Sequence, residues 1–382
     1  MHMNSLHLTL RILICLWLVG PFPGADAAQV TDLYAAQVPI GEGGARGSFD
    51  TALHTVLIKV TGRRDVTEDQ TVMSQFIAAE PYVQQYRANP DGTVWVLFDQ
   101  VALRRTLDSI GQPVWGQERP VTLTWLVMDH GTGSRDILAA EADVESETGM
   151  FADPLPVGDL ERQTAVREIL QTTAAERGLP LILPLVDSEE LDIVSVPDVW
   201  GGFTESLVLA SQRYGVNAIL VGRARVLSVE TAQVRWTLML GEERFDWDGD
   251  IASGPDRLAD FFAARLATSS SALGRMQLRV DGVNSLEDYG RLSQYLSTLD
   301  VIEEYSVERV TDQTIIFSLL VRGDADRLMR SIALRRILQP IEDSRLDLPG
   351  GDPQGIVIPR VPSVDSFDGE TAELHYSLIV GP

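Results

Sequence analysis

The stretch Asp198 to Arg223, DVWGGFTESLVLASQRYGVNAILVGR, constrains the fold most, because a glycine turn, an amphipathic helix and a buried strand follow one another in it without interruption. Phe203, Leu207, Ala210 and Tyr214 fall four, three and four residues apart, one face of a 3.6-residue period. Gly215 follows directly and suits the left-handed residue that ends many helices. Ala218, Ile219, Leu220 and Val221 form an apolar run too short for a helix, which predicts a strand buried on both faces. A helix feeding such a strand predicts a parallel or mixed sheet covered by helices, and so an α/β fold built from small mixed-sheet units.

At the N-terminus, Arg11 precedes the apolar run Ile12 to Val19, and a Pro/Gly break leads to Ala25-Asp26-Ala27. The pattern predicts a secretory signal over residues 1–27 and a periplasmic mature protein; an uncleaved membrane anchor is the other reading. The single cysteine, Cys15, lies inside the apolar run, so cleavage leaves neither disulfide nor thiol chemistry. No second apolar stretch is long enough to span a bilayer. The net charge of −24 repels nucleic acid and anionic lipid. Lys59 is the only lysine; the reliance on arginine reads first as genome composition or a salty habitat, and second as selection for bidentate anion binding.

Three units are expected. In the first, residues 29–118, Phe49, Leu53, Val56, Leu57 and Val60 predict a helix ended by Gly62. Thr67 with Gln70 predicts a capping box for a second helix through Ala79. Val94 to Phe98 is a strand and Leu103 to Ile110 a third helix, giving the order strand, two helices, strand, helix. The second unit, 120–272, opens with a strand at Val121 to Met128 and a polar excursion from Asp129 to Gly158. A helix around Val166 to Thr173, a buried strand at Leu181 to Val186, the opening stretch, an alternating strand at Val234 to Leu240, a return at Phe245 to Trp247 and a helix at Leu258 to Leu266 complete it. Ser269 to Ser271 read as a linker. The third unit, 273–345, has the ferredoxin-like order strand, helix, strand, strand, helix, with a closing strand around Ile337 to Ile341. Residues 346–382 form a Gly-, Pro- and Asp-rich tail apart from an extended Leu374 to Val380.

Chemistry is sparse. His54, His130 and His375 are not at ligand spacing, so neither a metal nor another cofactor is expected. No G-x-S-x-G elbow exists. Asp187, Glu189, Glu190 and Asp192 are either paired carboxylates for glycoside hydrolysis or a solvated acidic loop. Arg63, Arg64 and Asp65 form the one dense basic spot beside a turn, either an anion or partner contact or a surface ion-pair cluster. Asp198 and Trp200 ahead of Gly201-Gly202 offer an aromatic anchor beside approachable backbone, or a tight turn before a helix.

Five segments, Val60 to Asp65 (VTGRRD), Tyr82 to Arg87 (YVQQYR), Pro113 to Pro120 (PVWGQERP), Leu179 to Asp187 (LPLILPLVD) and the Asp198 to Arg223 stretch, together resemble the proteobacterial family catalogued as domain of unknown function 2066. That resemblance implies no activity, substrate or catalytic residue. PLILPLVD followed by a helix and RYGVNAILVGR is also similar to periplasmic α/β domains of the curli pore protein, the TolB N-terminal domain and the flagellar H-ring protein, which implies a part in envelope assemblies. Two functions are therefore expected in competition. One is a periplasmic structural or interaction protein docking to envelope proteins; the other is a binding protein or hydrolase for cell-wall glycan or peptide, using the acidic loop and aromatics such as Trp115, Trp200 and Trp247.

Overall fold

A computed structural model describes residues 28–131, 133–140, 156–270, 273–341 and 373–379. The signal segment, most of the acidic excursion and most of the tail lie outside the described residues. The chain has an α/β fold of mixed and antiparallel sheets.

In the first unit β1 (Ala28–Gln29) leads to β2 (Ala35–Pro39), the short α1 (Gly44–Gly47) and α2 (Phe49–Thr61). The expected apolar face of α2 is buried, and Gly62 ends the helix at φ 68° with its N–H on the Ile58 carbonyl. The second expected helix is only α3 (Gln70–Met73). Asp69, not Thr67, caps it by accepting from Thr71 N–H, and the chain then leaves the helix so that Phe76 and Ala79 enter the core, with Ala79 N–H on Asp50. β3 (Val83–Ala88), which no periodicity announced, pairs with β4 (Thr93–Phe98), and β2 flanks β4 on its other side. α4 (Gln100–Ser109) follows, capped by Asp99.

After β5 (Glu118–Arg119), the central unit comprises β6 (Thr122–Asp129), β7 (Arg135–Ile137), α5 (Val157–Glu176), β8 (Leu181–Ile182), α6 (Ser188–Leu191), α7 (Val196–Gly201), α8 (Thr204–Ser211), β9 (Ala218–Arg225), β10 (Gln233–Leu240), β11 (Glu243–Gly249) and α9 (Ser253–Leu266). The sheet order is β11-β10-β9-β6-β7, with β8 also on β6 and the β6–β9 pair parallel. The helix predicted from Phe203 starts one residue later. Gly202, left-handed at φ 73°, ends α7, so α8 begins afresh and buries Leu207 and Ala210 while Phe203 is 62% exposed. The strand expected at Leu181 to Val186 pairs over two residues only, because Pro180 and Pro184 have no N–H to give a ladder.

The third unit is β12 (Leu273–Asp281), α10 (Leu286–Thr298), β13 (Ile302–Thr311), β14 (Thr314–Arg322), α11 (Ala325–Ala333), β15 (Leu338–Pro340) and β16 (Glu373–Leu378), in the order β13-β14-β12-β16-β15. The place beside β12 that a ferredoxin-like fold gives to its closing strand is taken by β16, parallel to β12, and the expected closing segment lies outside it as β15. Leu374, Tyr376 and Leu378 alternate inward along β16 and join the core, whereas β15 offers only Leu338. Residues 373–378 thus belong to the sheet and not to a tail.

The units share a seam built by arginine. Arg119, 0% exposed, lies 3.9 Å from the centre of the Trp115 ring and spends all five N–H groups on backbone carbonyls. Nε reaches Gly116 (3.0 Å), Nη1 reaches Arg177 (2.9 Å) and Gly178 (3.0 Å), and Nη2 reaches Lys59 (2.6 Å) and Trp115 (3.0 Å). Burial pulls its pKa down to about 9, so it remains charged at neutral pH. Arg177 donates to the Gly62 carbonyl and pairs with Asp256 and Asp260. The third unit is tied on by Arg322 to Asp108, Arg335 to Glu118 and Arg104 to Asp300. Even the serine linker is anchored, with Ser269 Oγ on the Gly111 carbonyl and Val114 bridged to Thr268.

Gly62 sits on this seam. A Cβ there would overlap Ala263 Cβ and approach Trp115 to 2.9 Å, at a backbone angle that already favours glycine. Gly62→Ala is therefore expected to cost about 2–3 kcal/mol through strain and overpacking. Urea unfolding checks this, and a loss under about 0.5 kcal/mol, the scale of neutral surface changes, contradicts it.

Candidate functional site

Two faces of the central sheet are covered differently. α5 and α9 pack on Leu126, Leu220, Trp236 and Leu238. On the other face α7 and α8 lie over β6 and β9, where Leu207 and Ala210 meet Trp125, Ile219 and Val221, and Trp125 Nε1 donates to Ser211 Oγ (3.0 Å). Beyond α8 that face opens into a cleft of about 420 Å³.

Strand period two decides what lines it. Because Val234, Trp236 and Leu238 point to the α5–α9 core, Arg235, Thr237 and Met239 share the opposite face. The pairing register sets them in three rows across the strands: Met239 faces Ile219 and Arg244, Thr237 faces Val221 and Asp246, and Arg235 faces Arg223 and Asp248. Arg235 Nε bonds Asp248 (3.2 Å). Arg223 Nη2 donates to Thr237 Oγ1 (3.1 Å), which donates in turn to Asp246 (2.6 Å). The wall opposite is Gly201, Gly202 and Thr204. The Phe203 ring packs against Gly201, where a Cβ would come within 2.6 Å of it. These groups can bind and orient a polar ligand by charge-assisted hydrogen bonds.

Of the residues expected at a site, Gly201, Gly202 and Trp247 line this cleft. Asp198 does not: it completes the capping box of α7, accepting from Ser195 N–H (2.8 Å) and Oγ (2.5 Å), and the Ser195 hydroxyl holds its carboxyl below the usual range. Trp200 is half-buried, with the Arg135 guanidinium 4.0 Å above its ring. Arg63, Arg64 and Asp65 lie apart, at the seam. Arg63 pairs with Asp65, and Arg64 reaches Asp256 and Glu176. Trp115 is core, and Trp247 is half-buried with Nε1 on the Ser253 carbonyl. Sequence reasoning missed Arg223, Arg235, Thr237, Arg244, Asp246 and Asp248. The signal was the polar half of the alternation whose apolar half predicted β10.

The acidic loop is occupied with structure. Glu190 is 1% exposed; it accepts from Val186 N–H (2.6 Å) and the Tyr214 hydroxyl, and Arg213 lies 3.5 Å away. Val186 is held at φ 56°, a costly angle for a β-branched residue. Burial, then the bond to Glu190, raises the Tyr214 pKa. Asp187 caps α6 and binds Arg213 at 2.9 and 3.0 Å. Removing the Glu190 carboxylate strands a strained N–H and a phenol, so Glu190→Ala is expected to cost about 3 kcal/mol. A melting temperature unchanged from the parent protein would contradict that role.

His130 and His375 each bond an aspartate, Asp136 and Asp281, and His54 is exposed. Among the described residues no group of three or more His, Cys, Asp or Glu could hold a metal ion, and no helix is long and apolar enough to cross a membrane. No curated protein and no solved structure matches the chain. The family the five motifs resemble is not the one whose model matches: residues 27–116 match the model described as Domain of unknown function (DUF8605), an uncharacterised domain.

Proposed function

We propose that the protein is an exported, non-catalytic interaction protein of the bacterial cell envelope that seats a partner in the cleft of its central sheet. The observation that carries this reading is the make-up of that cleft: guanidinium, hydroxyl and carboxylate groups on rigid strands, bonded to one another in fixed rows. Such a surface supplies orientation and specificity. Export is supported by Arg11, the apolar run and Ala25-Asp26-Ala27, and a mature N-terminus at Ala28 is the expected product of cleavage. The likeness of PLILPLVD, the following helix and RYGVNAILVGR to envelope-assembly domains supports the same compartment.

Chemical crosslinking in intact cells, followed by capture of the mature protein from the periplasmic fraction, tests the reading. A discrete crosslinked envelope protein, together with no product released from peptidoglycan by the pure protein, is the expected result. Cytoplasmic recovery with Met1 retained overturns export. Product release that Glu190→Gln or Asp192→Asn abolishes with the fold unchanged overturns the non-catalytic role and puts the hydrolase in its place.

A further inference from the structure

The cleft holds a charge without a counter-ion. The register places Arg223 directly opposite Arg235 across β9 and β10. Like charges at such a pair, with Cβ atoms about 4.5–5.5 Å apart, destabilise a sheet. Arg235 has Asp248. Arg223 has only the Thr237 hydroxyl; its Nε is shielded from solvent with no hydrogen-bond partner, and no carboxylate is within ion-pair distance of it among the described residues. Leaving a guanidinium N–H buried and unmatched is costly unless something else accepts from it.

The acceptor that the cleft can supply goes to Nη1, which makes no hydrogen bond among the described residues and faces the wall above. A Cβ on Gly202 would lie 3.4 Å from Arg223 Nη1, so glycine leaves the guanidinium face open. Thr204 begins α8 at the cleft edge, and the N-cap Phe203 offers the helix no side-chain bond, which leaves its first N–H groups for a ligand. The formal charges lining the cleft are Arg223, Arg235 and Arg244 against Asp246 and Asp248. Three against two leaves one positive charge, in a chain whose net charge is −24. One surplus charge matches a carboxylate. A phosphoryl group, about −1.5 to −2 at pH 7, would be overcharged for this site and would face two aspartates.

We propose that the cleft takes a carboxylate presented by an extended peptide segment of the partner, held by Arg223 and Arg244 and by the first N–H groups of α8. This rests on the interaction reading and names its chemistry. Capture of a carboxylate by backbone donors and a guanidinium is a recurring mode of peptide recognition.

The test is a titration of the full-length mature protein, 15N-labelled at arginine, following the Nε–H signals by NMR at constant ionic strength. The probes are N-acetyl-Ala-Ala with a free carboxylate, the same peptide amidated, N-acetyl-Asp amide, and inorganic phosphate. The free acid is expected to shift the Arg223 signal, assigned by its loss in Arg223→Gln, in a saturable way, and the amidated peptide is not. A response to N-acetyl-Asp amide equal to that of the free acid identifies side-chain carboxylates as the source; a weaker one identifies the chain terminus. Arg223→Gln, followed by the Arg244 signal, should weaken binding by about tenfold or more, the scale of a charge-assisted bond. Should that variant misfold, Arg244→Gln, on an exposed position, should weaken the shift of the retained Arg223 signal. No saturable shift, equal shifts by acid and amide, or tighter binding of phosphate overturns the proposal. If the titration fails while a partner is still captured in cells, only the carboxylate is lost; if the titration succeeds and no partner is captured, the interaction reading fails instead.

Discussion

Arg119→Met is expected to remove about 5 kcal/mol or more of unfolding free energy, enough to leave many domains unfolded at room temperature. Five backbone carbonyls, from Lys59, Trp115, Gly116, Arg177 and Gly178, lose their donors at once. Swapping a buried ion pair for apolar side chains can be harmless, because both charges leave together. Here the acceptors are main chain and stay. They come from the C-terminal ends of α2 and α5 and from the segment entering β5, so the loss also uncouples the first unit from the central one. Gly178 adds a constraint of its own, since a Cβ there would stand 2.7 Å from Arg119 Nη1. Chemical denaturation of the parent protein should give one transition, and that of the variant, if it folds, two. A loss below about 1 kcal/mol would mean that water replaces the guanidinium and that the seam is not dry.

Leu220→Ala carries the second large effect, about 2–5 kcal/mol from lost transfer energy and the cavity left behind. Leu220 is 0% exposed in β9, the strand between the parallel β6 and the antiparallel β10, where it faces Thr124 and Leu238. The α5–α9 layer closes over it, so the cavity has rigid walls and collapses little. Differential scanning calorimetry measures the change. A shift within the range of surface substitutions, about 0.5 kcal/mol, would place β9 at the margin of the core.

Much of the scaffold was legible because periodicity and glycine act locally. The face of α2, its stop at Gly62 and the buried β9 follow from spacing alone. Phe203 shows where that logic ends. Its spacing from Leu207 fitted one helix, yet a left-handed Gly202 divides the segment and turns the ring outward. β3 was invisible for a different reason: as an exposed edge strand reading VQQYRA, it has no apolar face to alternate. β16 owes its place beside β12 to a pairing across nearly a hundred residues, which no window of sequence contains.

The candidate site was half legible. Gly201 and Gly202 announced a close approach of backbone, but what approaches Gly202 is Arg223 from the strand beneath, and what approaches Gly201 is the Phe203 ring. The register of β9, β10 and β11, which brings Arg223, Arg235 and Asp248 into one row, is a tertiary fact. The arginine bias had a visible use as well. Arg104, Arg119, Arg177, Arg322 and Arg335 join the three units through forked donors, a geometry a lysine cannot supply.

Site-specific photocrosslinking in intact cells tests most directly that a partner sits in the cleft between α8 and β10–β11. A photoreactive residue placed in turn at Thr204, Arg244 and Asp248, with Glu308 on β13 as the distant control, should give the same crosslinked band at the three cleft positions and none at the control. A band at Glu308 with none at the cleft would put the partner on the third unit and contradict the account.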